Sequence, residues 1–197
     1  MSRTFVIVAN RAVTEPFNLN DLAGSAGRMD LVCRFISQSL FISHGIRRDS
    51  VVYAVLKGPP DPVKTLKIVG SEVRYLAPDE RNIAGMINKA LKTDVGENWR
   101  KVSPGVYISR TEFNELINEL AKAGNLYYLR EDGEPAENVE FDSPVFVLGD
   151  HNGMIEEDER VVFKVCRKVV SLGRTPYQAD QCVTILNYVL DRRSEQA

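Results

Sequence analysis

Two segments far apart in the chain, Thr4 to Ala9 (TFVIVA) and Pro144 to Leu148 (PVFVL), are apolar almost without interruption. A strand with one face in water alternates apolar and polar residues. An unbroken run of strand length marks a strand covered on both faces. Such strands belong to sheets packed between helices, and parallel neighbours need connections long enough to carry a helix. The sequence between the two runs meets that demand. Helical spacing of Leu31, Val32, Phe35, Ile36 and Leu40 predicts a helix capped by Ser25 and ending near Gly45. A strand is expected at Val51 to Leu56. Another, Lys64 to Val69, is expected to pair with Val73 to Leu76 as a hairpin about Gly70-Ser71. A helix follows from about Arg81 to Leu91, then a polar connection, 95–104, holding the only tryptophan, Trp99. Val106 to Ser109 reads as a short strand, Thr111 to Ala123 as a helix and Asn125 to Leu129 as a strand. The acidic stretch Glu131 to Glu140 reads as a surface excursion.

After PVFVL, Glu156 to Glu159 suit a short acidic helix start, and the valine-rich run from Val161 to Val170 reads as a strand. A final helix is signalled by Thr175 as N-cap, Pro176 at its first position and Gln178 closing a capping box. Ala179, Cys182, Val183, Leu186, Val189 and Leu190 form its apolar stripe. The expected fold is one α/β domain over residues 1–197, with a mostly parallel sheet flanked by helices.

Composition narrows the function by exclusion. No apolar run reaches membrane-spanning length, and MSRTFVIVANRA reads as a first strand with no signal-peptide cleavage pattern. The three cysteines, Cys33, Cys166 and Cys182, lie far apart, and neither they nor His44 and His151 make a metal-ligand spacing. Reduced thiols in a cytoplasm and no metal ion are expected. Net charge is −2, so any nucleic-acid partner needs a local basic surface. The Gly-rich phosphate loops of dinucleotide folds and P-loop enzymes are absent, as is a G-x-S-x-G elbow.

What remains is the set of strand ends. Three expected strands stop at polar or glycine-bearing turns: after Leu129, at Leu148-Gly149, and at Leu172-Gly173. In a parallel sheet ligands bind outside the carboxyl ends of the strands. If the three strands are neighbours, these turns line one crevice.

The paired motifs LGDHNGM (Leu148 to Met154) and SLG (Ser171 to Gly173) carry a resemblance to the SPOUT methyltransferases. With GRMDLVCRFISQSLFISHGIRRDS and NLYYLREDG, the chain is most similar to the archaeal tRNA pseudouridine-54 N1-methyltransferases, the TrmY family. The resemblance spans essentially the whole chain. It implies a deep C-terminal trefoil knot, with knot and cofactor site at about 125–192, a homodimer, a tRNA substrate and bound S-adenosylmethionine. It implies cofactor contacts from Leu129, Gly149, Ser171, Leu172, Gly173, Arg174, Thr175, Pro176, Tyr177 and Cys182. The implied reaction, methylation at N1 of pseudouridine, releases a proton, and Asp30 is the first candidate to accept or orient it. Arg34 is its orienting partner, and Arg11 with Asn10 would contact the base or its phosphate. Asp30 reads equally as a first-turn acid stabilising the helix dipole. RNA would meet Arg11, Arg28, Arg34, Arg47 and Arg48, away from the acidic 131–159 region. A SPOUT enzyme acting on ribosomal RNA, or a non-catalytic RNA- or nucleotide-binding module, remain the alternatives.

Overall fold

A computed structural model describes residues 2–196. Its strands are β1 (Arg3–Ala9), a small hairpin β2 (Phe41–Ile42) and β3 (Gly45–Ile46), β4 (Ser50–Leu56), β5 (Lys64–Val69), β6 (Arg100–Ser103), β7 (Val106–Ser109), β8 (Asn125–Pro135), β9 (Pro144–Gly149) and β10 (Lys168–Ser171). The helices are α1 (Met29–Leu40), α2 (Glu80–Leu91), α3 (Phe113–Ala123), α4 (Glu156–Val165) and α5 (Ala179–Gln196). Eight strands form one sheet in the order β10-β8-β9-β1-β4-β5-β7-β6. The run from β10 to β4 is parallel. The remaining pairings are antiparallel. The expected mixed, mostly parallel α/β sheet is what forms.

The unbroken apolar strands are covered on both sides. In β1, Phe5, Ile7 and Ala9 pack in the core shared with α1, α2 and α5. Val6 and Val8 face the opposite way, into the core with Phe113, Leu116, Ile117 and Leu120 of α3 and Val162 of α4. Alternate side chains of one strand therefore feed two cores. Phe146 of β9 is fully buried, stacked on Phe5 at 5.6 Å and edge-on to Phe141 at 5.1 Å.

Several local expectations are corrected. Val161 to Val165 belong to α4, where Val162 alone of that run is buried and Phe163 and Lys164 are exposed. Lys64 to Val69 pairs with β4 and β7, and 73–76 forms no strand, so the expected hairpin is absent. The polar connection 95–104 contains β6, an edge strand whose outer side chains face water. Helix α1 ends at Leu40, where the β2–β3 hairpin begins, and Ser25 does not cap it. Helix α5 starts at Ala179, so Thr175 and Pro176 lie in the preceding loop. Gln178 stands at its cap, its N–H donating to Gln181 Oε1 at 2.9 Å.

The stretch 131–140 is no mere excursion. β10 pairs with Tyr127 and Tyr128, then again with Glu134 and Pro135, and residues 129–133 stand out of the ladder between the two. Ala136 and Val139 are buried, and Arg193 of α5 donates to the carbonyls of Ala136 (2.9 Å) and Glu137 (3.0 Å).

Since Phe146 joins three aromatic neighbours with no exposed atom, Phe146→Ala leaves a cavity between β8, β9 and β1. Urea denaturation should show a loss of about 3–5 kcal/mol.

Candidate active site

β8 lies between β10 and β9, with β1 beyond β9, so these four of the five parallel strands open on one edge. The loops leaving them enclose a cleft of about 560 Å3. That is the size of a cofactor site. One wall is Leu129, Arg130 and Glu131 from the out-standing segment of β8. A second is Gly149 to Met154, except Asn152. The third is Leu172, Gly173, Thr175, Pro176 and Tyr177, closed by Cys182 and Asp180 in the first turns of α5. Ile7 and Leu31 form part of the lining.

Each wall is held by identifiable contacts. The Asp150 carboxylate accepts from the backbone N–H of Asn10 at the end of β1 and of Asn152, both at 2.8 Å. This ties the LGDHNGM turn to the central strand. A Cβ on Gly149 would lie 2.3 Å from the carbonyl carbon of Gly153, so the turn closes this tightly only with glycine there. The Ser171 hydroxyl accepts from the Gly173 N–H at 3.0 Å and donates to the Glu131 carbonyl at 2.9 Å. It joins the first wall to the third. Gly173 has φ 103°, and a Cβ there would point into open space. Gly173 itself lines the cleft.

The charges lining the cleft favour a cationic guest. Glu131, Asp150, Glu159 and Asp180 supply carboxylates against the guanidiniums of Arg28 and Arg130. Arg130 is engaged by Glu159 at 2.8 Å and Asp132 at 2.9 Å. Asp180 Oδ1 is buried with no hydrogen-bond partner among the described residues. An acceptor in that state is unsatisfied until a donor enters. Burial, with the charges of Glu131 and Asp180, pushes the Cys182 thiol up to about 11. Cys182 is thus a neutral contact surface. Burial likewise raises Cys33 and Cys166, so no thiolate nucleophile is on offer.

Where α1 meets the cleft, the structure redistributes the expected roles. Asp30 is buried and absent from the lining, whereas Arg28 lines it. Arg28 grips Asp30 with two parallel hydrogen bonds of 3.0 Å, and Arg34 adds a third at 3.1 Å. Burial acts to raise the Asp30 carboxyl, but the bonds and charges of Arg28 and Arg34 outweigh it and hold it below the ordinary range. A carboxylate held so is a poor proton acceptor at neutral pH and a good clamp. Arg28 adopts φ 65°, left-handed backbone that a non-glycine residue occupies at a cost of order 1–3 kcal/mol. The Asp30 clamp holds its guanidinium at the cleft from that position. Sequence reasoning set Arg28 only among the RNA contacts. The Arg28–x–Asp30 spacing was the available signal, but the left-handed backbone behind it was not.

The other expected residues divide clearly. Leu129, Gly149, Leu172, Gly173, Thr175, Pro176, Tyr177 and Cys182 are brought together around the cleft. Ser171 lies behind the wall it braces, and Arg174 is exposed outside it. Arg34 bonds Asp30 and Glu80 and does not line the cleft. Arg11 is exposed beyond the end of β1. Arg47 is committed to Asp191 at 2.7 Å, and Arg48 donates to the carbonyls of Gly70 and Val73. These two arginines are structural. Among the described residues no group of three His, Cys, Asp or Glu is placed to hold a metal ion, and no helix is long and apolar enough to cross a membrane.

Residues 2–195 match the family described as "Putative SAM-dependent RNA methyltransferase", and the chain belongs to that family. Within it, the chain is 45% identical to the tRNA (pseudouridine(54)-N(1))-methyltransferase of Methanocaldococcus jannaschii, with 97% of each chain aligned. It is 47% identical to the enzyme of that name from Methanocella arvoryzae, over 97% of this chain and 100% of that one. Among solved structures it resembles Archaeoglobus fulgidus Nep1 bound to S-adenosylhomocysteine, with TM-score 0.65, 16% identity and 97% of both chains covered. That likeness shows a shared fold.

Replacing Asp30 by Asn leaves Arg28 without its counter-charge and should cost about 1–3 kcal/mol at neutral pH. Because the folded carboxyl titrates below its unfolded value of about 3.9, its contribution is complete above that pH and lost as pH falls through the folded value. Urea titrations at several pH values should show a constant gap between wild type and Asp30→Asn from pH 8 to about 5. The gap should close below about pH 4.

Proposed function

We propose that this protein methylates N1 of pseudouridine at position 54 in the T-loop of tRNA, using S-adenosylmethionine. The observation that carries this reading is the convergence of the β8, β9 and β10 loops on one acid-lined cleft. It occurs in a chain 45–47% identical to relatives bearing that activity in their names. The cofactor supplies a methyl group already activated on a sulfonium. The residues present fit it: a glycine-walled cleft of cofactor size, excess carboxylate and an unsatisfied acceptor at Asp180.

In this reading Leu129, Gly149, Leu172, Gly173, Thr175, Pro176, Tyr177 and Cys182 hold the cofactor. Ser171 keeps two of the walls in register, and Arg174 faces the solvent side. The sulfonium is a good leaving group, so the protein's work is placement and exclusion of water. Arg28, set by Asp30 and Arg34, offers a fixed cation where the base or its phosphate arrives, and Asp30 is a positioning residue. Arg11 and Asn10 flank the entry at the end of β1. The target base has to be splayed out of the folded loop to reach the cleft.

The same resemblance supports a single-domain cytoplasmic enzyme that works as a homodimer without a metal ion. It supports a trefoil knot as well. Two features agree with threading: residues 129–133 stand out of the β8–β10 ladder, and Arg193 of α5 is bound to the 136–139 return.

The direct test is mass-spectrometric nucleoside analysis of tRNA incubated with labelled cofactor. One methyl per tRNA on pseudouridine in the T-loop is expected, with none on the uridine transcript. Methylation of the uridine form, or of ribosomal RNA alone, contradicts the assignment. Gly173→Trp fills the cleft and should abolish S-adenosylhomocysteine binding by calorimetry while tRNA binding persists. Arg28→Ala should lower kcat/KM for tRNA by about 10- to 100-fold with cofactor affinity within a few-fold of wild type.

A further inference from the structure

A second groove, of about 660 Å3, lies on the helix α2 side of the molecule. It is floored by Leu19, Leu76 and Met86 and rimmed by Arg74, Arg81 and Lys89. At its edge stands Tyr75, which is 95% exposed and has φ 61°. A bulky residue in left-handed backbone is an uncommon and costly arrangement. Here no burial offsets that cost. The ring is not there to stabilise the fold.

The ring is displayed from a braced segment. Val73 is buried, and its N–H donates to the Val69 carbonyl at 3.0 Å. Arg48 donates to the carbonyls of Gly70 and Val73 at 2.9 and 3.2 Å. On the far side the Ala77 N–H donates to Asn82 Oδ1 at 2.8 Å. Tyr75 is therefore held between two anchors.

The rim is cationic in a chain with net charge −2. Arg74, Arg81 and Lys89 form no ion pair among the described residues. Arg81 makes one neutral hydrogen bond, to Asn20 at 2.9 Å. Asp79, the carboxylate at the groove, caps α2 by accepting from the Asn82 N–H at 2.9 Å. An exposed aromatic ring beside cations with no carboxylate partner is the combination that takes unpaired nucleotides, bases on the ring and phosphates on the charges.

We propose that this groove is a second RNA-contact surface, in which Tyr75 stacks on an unpaired base of the substrate and Arg74, Arg81 and Lys89 hold the flanking phosphates. It rests on the RNA-methyltransferase reading and adds a site outside the cofactor cleft. The segment 10–28 links the two places. It begins at Asn10, bonded to the cleft turn, passes the groove at Leu19, and ends at Arg28 in the cleft.

The test is filter binding of full-length tRNA bearing pseudouridine in the T-loop, across a series of salt concentrations, with S-adenosylhomocysteine saturating. Tyr75→Ala should weaken tRNA binding about tenfold, whereas Tyr75→Phe should stay within twofold of wild type. Arg74→Gln with Lys89→Gln should reduce the slope of log affinity against log salt by about 1.5. Melting temperature, S-adenosylhomocysteine affinity and kcat at saturating tRNA should be unchanged in all of them. Wild-type tRNA affinity and salt slope in Tyr75→Ala and the double variant would overturn the proposal and leave the groove to a protein partner. A wild-type protein that binds S-adenosylhomocysteine but no tRNA would overturn the RNA reading itself, and this proposal with it.

Discussion

The position of β8 between β10 and β9 is the constraint on which the rest depends. The three strands come from separate parts of the C-terminal half of the chain, and all run parallel. Their carboxyl ends must therefore open on the same edge of the sheet, and their loops must meet. The core enforces this arrangement. Tyr127 and Phe146, on adjacent strands, pack against each other and against Phe141 with their side chains out of water. A slip of one residue in either strand would turn these rings to the opposite face. Cleft geometry and core packing are set by the same register.

Electrostatics then divides the molecule. Carboxylates outnumber guanidiniums around the cleft, which suits a sulfonium and repels phosphate. Cations without carboxylate partners are found elsewhere, at Arg11 beyond β1 and around the α2 groove. The two guanidiniums at the cleft, Arg28 and Arg130, both have carboxylate partners, and that of Arg28 is the buried Asp30. The two-point grip of Arg28 on Asp30 fixes direction as well as charge, which a lysine in its place would not do. Family membership and 45–47% identity to named relatives make the same division chemically sensible. A charged cofactor and a polyanionic substrate need neighbouring surfaces of opposite sign.

The buried architecture could be read from the residues, and the edges could not. TFVIVA and PVFVL announced two-sided burial because no polar residue interrupts them, and both became central strands. The turns at Leu148-Gly149 and Leu172-Gly173 fall at strand ends as expected, whereas β8, expected to stop at Leu129, continues to Pro135 with residues 129–133 out of the ladder. Arg100 to Ser103 gave no such signal, since an edge strand meets water and carries water-facing residues. Val161 to Val165 misled through β-branched composition, although a four-residue acidic start placed the run on a helix. Thr175 and Pro176 carry genuine capping chemistry but lie in the loop that forms the third wall of the cleft, where the Tyr177 N–H donates to the Thr175 carbonyl at 2.9 Å before α5 begins. The acidic 131–140 segment looked solvated by its charges, while its backbone completes the β10 ladder. The exchange of roles between Asp30 and Arg28 lay beyond sequence patterns. It depends on a left-handed arginine, a conformation that residue type does not foretell.

The central claim is that turns after three separate strands form one methyl-donor cleft. The most direct measurement is a crystal structure of the protein grown with S-adenosylhomocysteine. Ligand density between Gly149 and Gly173, with Leu129 and Cys182 against the adenosyl group, is the predicted result. Density on another face, with this cleft filled only by water, would contradict the account.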